Sequence, residues 1–345
     1  MTKKSLLIIA PAYPPKIDGI GAYASNLGKS ISEDGCQVYY YQKNDFIYNY
    51  FKIFTNDLDI SKFCAEKNIQ TLILNYSGYG FNRKGVPLML LITLWRLKRA
   101  NGIQLITFFH EIYAIGSIFT SAFWLHLFQR LIFRSLLTIT DSAICSNQRV
   151  LDLIVKEKIL KRDQMYRMPI FSNIGELGNR SITKSETDCL LIFGTEGLRR
   201  KVYESESFKN FIETNNFKKV IDIGPGIIAF SSYGNIPLER LGILSESKIA
   251  EILAKTLWVA ISYPQSLLAK SGVFAAYAAH ACCVVNFDSA NDECFHDGLK
   301  CGLHYVTPMM TIKKDDTSSM GSLLYDWYQE HNIKKHKELF SQIIN

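Results

Sequence analysis

Short, nearly continuous apolar runs alternate along the chain with longer segments of helical period. Leu6–Ala10, Gln37–Tyr41, Thr71–Asn75, Leu105–Phe109 and Ser142–Cys145 read as strands, with amphipathic segments such as Ala22–Ser32 between them. Strands that are apolar at every position are buried on both faces, which implies parallel sheets covered by helices on either side. The pattern weakens over Pro169–Ser185, a stretch rich in Ser, Asn and Gly. It restarts with strands at Cys189–Gly194, Val220–Ile223, Trp258–Ile261 and Cys283–Asn286, and with helices at Tyr203–Thr214, Glu246–Lys255 and Gly272–Ala281. Two doubly wound α/β domains in series, residues 1–170 and 183–320, are the simplest architecture. A last helical pattern, Met320–Ile344, makes residues 321–345 a helix able to pack back on the first domain.

Composition narrows the class. At 345 residues, 48% hydrophobic and 21% charged, the chain is neither disordered nor collagen-like. No clean apolar run reaches the ~18–20 residues of a membrane-spanning helix. Val86–Trp95 stops at Arg96, and Ile112–Gln129 is broken by Gly116, Ser117, Thr120, Ser121 and His126. The short run Ser5–Ala10 ahead of Pro11 reads as a first strand and not as a signal peptide. None of the eight cysteines has CxxC spacing, so neither a zinc site nor a redox motif is expected, and a reducing cytosol is the expected compartment. The net charge of +7 is uneven: residues 1–170 carry 21 Lys/Arg against 12 Asp/Glu (+9), residues 171–345 carry 18 against 20 (−2). A basic first half suits an anionic partner, whether a phospholipid surface, a phosphorylated substrate or a nucleic acid.

Five features carry candidate chemistry, each with a plainer structural reading beside it. Pro14–Gly21 joins strand one to helix one, where Gly19 and Gly21 allow close backbone approach and the helix N-terminus suits a phosphate or sugar. It is not a dinucleotide fingerprint, since Ala24 stands where a third glycine is needed; the plain reading is a tight turn. His110, ending the fourth apolar run, can donate a hydrogen bond or move a proton, or can simply pair with Glu111. Arg199-Arg200-Lys201 follows Phe193-Gly194 in what reads as a loop suited to a diphosphate, or as a solvated basic turn. Lys270-Ser271-Gly272 opens a helix at which phosphate can bind, or at which Ser271 is only an N-cap. In Ser117–Leu137, Phe123, Trp124, Leu127, Phe128, Leu131 and Ile132 form one stripe, with His126, Gln129, Arg130 and Arg134 largely off it. The simpler reading packs that stripe on the sheet; the alternative lays it on an anionic bilayer. Asp57-Leu58-Asp59 has the form of a metal-binding D-x-D, but reads as a helix start with Asp59 as N-cap.

Together these features resemble a retaining glycosyltransferase of the family-4 type, with the GT-B fold of two Rossmann-like domains facing a central cleft. The resemblance rests on the Pro-Pro-x-x-x-Gly-Ile-Gly start, Asn75-Tyr76-Ser77-Gly78-Tyr79-Gly80, Phe109-His110-Glu111-Ile112-Tyr113-Ala114, and Ser271–His280 with its following strand. It implies a nucleotide-sugar donor on the C-terminal domain and a lipid-linked or polysaccharide acceptor on the N-terminal one. Gly19 and Gly21 would approach the donor, His110 would sit near the transferred sugar, and Asp18 and Tyr113 would lie on the acceptor side. Arg200 and Lys201 would neutralise the diphosphate, with Lys270, Ser271 and Gly272 lining the sugar and phosphate end of their helix. No metal or other cofactor is implied, because cations and helix dipoles can stabilise the leaving diphosphate. Surface-polysaccharide assembly in the cytoplasm, peripheral on the inner membrane face, fits the basic aromatic-rich half; no nucleic-acid partner is expected.

The sequence departs from this family at one place. Two glutamates eight positions apart are replaced by Leu267 and Ala275, or by Leu268 and Ala276 if the alignment slides by one. The second of them normally holds the ribose hydroxyls. A catalytically degenerate GT-B subunit that binds a partner or glycan is therefore the alternative, followed by a different Rossmann enzyme.

Overall fold

The computed structural model describes residues 4–16, 18–41, 57–112, 121–178, 184–228, 232–233, 235–288, 296–310 and 314–344. Contacts divide the chain into two units: Met1–Pro169 with Ile333–Asn345, and Ile170–Asn332.

The first unit runs β1 (Ser5–Ile9), α1 (Gly19–Ser32), β2 (Gln37–Tyr41), α2 (Asp57–Glu66), β3 (Thr71–Ser77), α3 (Gly78–Phe81), α4 (Leu88–Asn101), β4 (Gln104–Glu111), α5 (Ser121–Ile139), β5 (Ser142–Cys145), α6 (Gln148–Glu157) and β6 (Met165–Arg167). Its sheet has the order β2-β1-β3-β4-β5-β6, all parallel. Strands β1, β3 and β5 are buried at every position, as their unbroken apolar runs require. The strand order reverses between β1 and β3, so the loops following these two strands flank the crevice where doubly wound sheets bind ligands. Helix α2 starts at Asp57, which puts Asp59 inside the helix and not at its cap.

The second unit runs β7 (Glu186–Phe193), α7 (Glu196–Tyr203), α8 (Glu206–Thr214), β8 (Lys219–Ile223), β9 (Ser232–Tyr233), β10 (Ile236–Gly242), α9 (Glu246–Lys255), β11 (Thr256–Ile261), α10 (Gly272–Ala279), β12 (Cys283–Asn286) and α11 (Lys314–Gln329). The order is β12-β11-β7-β8-β10-β9, parallel except for the β9–β10 pair. Here the reversal lies between β7 and β11. The doubly wound α/β class expected from the sequence is therefore present twice.

The last helical pattern is two helices, not one. The chain turns at Glu330–Asn332, where the Asn332 amide donates to Gln329 Oε1 (2.9 Å), and α12 (Ile333–Ile343) follows as part of the first unit. Helix α12 is anchored by His336, which is fully buried. A carbonyl only accepts, so His336 Nε2–H donates to Pro169 O (2.8 Å) and Nδ1 accepts the Tyr23 hydroxyl (2.8 Å). Burial pushes the His336 pKa down to about 4.

That depression makes stability depend on pH. An unfolded histidine titrates near 6.5, so between about pH 6.5 and 4 the unfolded chain binds the extra proton. The stabilisation is complete above that window and is lost as pH falls through it, by roughly 2 kcal/mol at pH 5. The second unit has the same device in His280, buried, with Nδ1–H on Ala276 O (2.8 Å) and its pKa also lowered to about 4. Thermal melts at pH 7.5 and pH 5 are expected to differ less in His336→Gln/His280→Gln than in the native chain; an equal drop in both would remove these groups as the acid-sensitive pair.

Candidate functional site

In the first unit the carboxyl edge of the sheet is crowded with backbone. Asp18 caps α1, its carboxylate accepting from Gly21 N–H (2.8 Å). A Cβ on Gly21 would lie 2.0 Å from Ala12 O, so close packing of α1 against the β1 loop already accounts for this glycine. Among the described residues, no atom outside its chain neighbours and its own helix backbone lies within 4 Å of where a Gly19 Cβ would stand. A Cβ on Gly80 would meet Pro11 Cγ at 2.6 Å, so the loops after β1 and β3 touch at the switch point. The Asp18 carboxylate also changes the electrostatics: α1 already carries an anion at its positive end, which disfavours a second one there.

His110 lies at the end of β4, nearly buried. Its ring stacks on Phe108 (centroids 4.3 Å apart, planes 19°) and meets the edge of Tyr23 (5.2 Å). Nε2 lies 3.1 Å from Asn75 Oδ1 on the neighbouring strand β3. Glu111 accepts from the Ser77 hydroxyl (3.2 Å). The ladder shifts register here, from Tyr76 opposite Phe109 to Ser77 opposite Glu111, and His110 and Glu111 each take a different partner on β3. The Asn75–Gly80 segment supplies a partner to each, a role that its sequence alone did not disclose. Tyr113 lies outside the described residues.

In the second unit the three consecutive cations stand on a helix, α7, and not on a loop. Helical spacing turns them to different sides. Arg199 is buried, 1% exposed; its Nε donates to Gly194 O (3.1 Å) and its terminal nitrogens bond Asp222 and Pro225 O. Tyr203 donates its hydroxyl to the same Asp222 carboxylate (2.8 Å). Arg200 is half-exposed and paired with Glu196 one turn back, and Lys201 is exposed. The buried cation of the three is therefore the one not assigned to the diphosphate.

Lys270-Ser271-Gly272 sits where expected, at the start of α10. Ser271 is the N-cap, its hydroxyl accepting from Phe274 N–H (3.3 Å). Gly272 has open space ahead of it: among the described residues beyond its own helix and chain neighbours, the atom near its would-be Cβ is Asn173 Nδ2, at 3.9 Å. A Cβ on Gly194 would lie 3.3 Å from Val273 Cγ2, so the loop after β7 abuts the first turn of α10. Tyr277 closes the floor beneath them. Its hydroxyl accepts from Phe193 N–H (3.0 Å) and donates to Ala260 O (3.1 Å), tying β7 to β11 across the switch point. Every residue from Phe274 to Ala279 is buried, so α10 presents its N-terminus and not a side to the crevice.

Leu268, Ala275 and Ala276, three of the positions where the resemblance would put glutamate, are all buried. Two residues beyond β12, at the same edge of the sheet, Asp288 Oδ2 is buried with no hydrogen-bond partner. No motif announced it. Among the described residues no cluster of His, Cys, Asp or Glu is arranged to hold a metal ion, and no helix is long and apolar enough to cross a membrane.

No protein-family model matches the chain, and no curated protein sequence matches it. Solved structures do. HepE from Anabaena in complex with UDP is 10% identical, with 99% of each chain covered and a TM-score of 0.63. A glycosyltransferase from Rickettsia africae is 9% identical over 100% of this chain and 98% of its own, TM-score 0.62. WaaG, a glycosyltransferase involved in lipopolysaccharide biosynthesis, is 10% identical over 99% of each chain, TM-score 0.57. At this identity the likeness establishes the fold: the chain has the two-domain α/β architecture of GT-B glycosyltransferases over its whole length.

Proposed function

We propose that this protein is a glycosyltransferase that takes a sugar from a nucleotide-sugar donor, a UDP-sugar, bound at the N-terminus of α10. The observation that carries the reading is the start of that helix. A neutral Ser271 cap, Lys270 beside it and an unobstructed Gly272 stand at the switch point of the second sheet, as an anion site requires. Several structures sharing the fold hold UDP, which favours uridine among the nucleotides. Lys270 and the α10 backbone N–H groups would stabilise the diphosphate as it leaves, without a metal ion. Asp288, with its unpartnered carboxylate oxygen, is the group at this edge suited to accept donor hydroxyls in place of the absent glutamate.

Transfer with retention is the step we assign. The acceptor oxygen bonds to the anomeric carbon on the face from which the diphosphate departs, the carbon–phosphate oxygen bond breaks, and the departing phosphate oxygen takes the acceptor proton. A lipid-linked or polysaccharide acceptor of surface-polysaccharide assembly suits the basic first unit. Lack of the family's glutamates favours the alternative, a degenerate subunit that binds a partner or glycan.

Thermal stabilisation by UDP-, GDP-, dTDP- and ADP-sugars, with bare nucleotides as controls, separates the two readings. A ligand at a hundredfold its Kd adds about 2.7 kcal/mol, or roughly 5–10 °C for a domain of this size. The UDP-sugar is expected to give this shift, and Lys270→Ala and Asp288→Asn to weaken binding about tenfold or more each. No shift with any donor would leave the binding subunit as the better reading.

A further inference from the structure

Only part of the α5 stripe packs inward: Ile132 is buried, and the side chains of Phe123 and Trp124 lie outside the described ones. The face turned inward is Gln129, Ile132, Phe133, Leu136 and Leu137. Leu127, Phe128 and Leu131 stand in solvent at 73, 60 and 62% exposure. Helix α4 packs beside α5 and does the same with Leu88, Met89 and Trp95, exposed at 53, 58 and 47%. Gln129 is buried on α5, and its amide donates to Lys84 O (2.9 Å) and Tyr79 Oη (3.0 Å), which holds α5 against the segment leading into α4. Scattered apolar side chains on a surface are ordinary, but six large ones on two adjacent helices mark an interaction face.

Charge decides what covers it. Residues 78–137 contain seven Lys/Arg (Arg83, Lys84, Arg96, Lys98, Arg99, Arg130, Arg134) and one acidic residue, Glu111. Arg96 and Arg99 are exposed on the same helix as Trp95, and the Arg99 guanidinium lies over the Trp95 ring at 5.3 Å. Long apolar side chains rimmed by arginines, with an aromatic ring among them, match the boundary between acyl chains and anionic headgroups. A second copy of the chain fits worse, since a two-fold contact through this face would set the same arginines against each other. We propose that the outer face of α4 and α5 docks the protein on an anionic lipid bilayer. This deepens the glycosyltransferase reading by placing a lipid-linked acceptor within reach of the first unit.

The geometry also selects the variants that test it. Arg130 and Arg134 are poor choices, because both are tied to the buried carboxylate of Glu157 (3.0 and 3.2 Å), and reversing them would disturb the fold. Leu127→Ser/Phe128→Ser/Leu131→Ser removes only exposed groups, and Arg96→Glu/Arg99→Glu reverses the charge. The native chain is expected to co-sediment with phosphatidylglycerol-rich vesicles and about tenfold less with pure phosphatidylcholine. The serine variant is expected to lose about tenfold in vesicle affinity, and the glutamate variant to lose the lipid preference and its salt dependence. Both should keep native melting temperatures and any nucleotide-sugar shift. Equal recovery on both vesicle types, or serine-variant binding equal to native, overturns the proposal. So does a self-association in sedimentation velocity that the serine variant abolishes in the absence of vesicle binding. Vesicle binding without any donor shift would instead fault the glycosyltransferase reading and leave this one standing.

Discussion

Replacing Arg199 with alanine is expected to lower the stability of the second unit by about 3–5 kcal/mol, roughly a fifth or more of what a domain usually has. The size follows from what is left behind. Asp222 is 3% exposed, and Arg199 supplies its compensating charge. The carbonyls of Gly194 and Pro225 lose their donors at the same time. Around the guanidinium the loops after β7 and β8 come together: a Cβ on Gly224 would lie 2.0 Å from Gly194 O and 2.7 Å from Arg199 Nε. The melting temperature is expected to fall by roughly 6–20 °C. Arg200→Ala, next in sequence, removes only an exposed ion pair with Glu196 and is expected to cost less than about 0.5 kcal/mol. Arg199→Met/Asp222→Asn should recover much of the loss, because it removes the stranded charge while Tyr203 can still donate to residue 222. If the double variant is as unstable as Arg199→Ala, the stranded charge is not the cause. A native-like melt of Arg199→Ala alone would show that the arginine contributes no net stability.

The same residue shows where the sequence stops being legible. Three adjacent cations look alike as letters, and only the start of α7 at Glu196 decides which one turns inward. Predicted as a loop, the segment had no inside. The strands β1, β3, β4, β5, β11 and β12 were legible because both faces are buried, which leaves a run dominated by apolar residues. The edge pair β9–β10 was not, since β10 is largely exposed and contains Pro237. Glycines behaved in the same way. Gly19 and Gly272 have the open space that a ligand reading asks for, whereas Gly21 is explained by Ala12 O, and nothing in the spacing distinguishes these cases. The start of α10 was legible because a Ser-Gly pair at a helix opening has a local mechanism. Tyr277, which joins two strands through one hydroxyl, has only a tertiary one. On α5 the stripe was visible, but which part of it meets the sheet depends on the neighbouring α4.

His110→Ala is expected to reduce sugar transfer by about a hundredfold or more, the ordinary worth of one positioned acid, base or hydrogen-bond donor. The reason to expect a functional and not merely structural loss is how the ring is held. Phe108 below it, Tyr23 at its side and Asn75 at Nε2 fix the imidazole in one orientation at the carboxyl edge of the sheet, where doubly wound units place reacting groups. A histidine needed only to fill space would be served by any flat ring of similar volume. His110→Phe is therefore the sharper variant, since it can keep the stack on Phe108 while removing both nitrogens. It strands Asn75, whose side chain is fully buried, so a modest fall in melting temperature accompanies it. Asn75→Ala keeps the imidazole but frees its orientation, and should lose less activity than His110→Phe. Donor stabilisation should survive in all three, because the proposed diphosphate contacts belong to the other unit. Transfer in His110→Phe within threefold of native would remove this residue from the chemistry. With a donor shift but no transfer in the native chain under any acceptor, the degenerate subunit becomes the better account, and the order imposed on His110 would then serve binding alone.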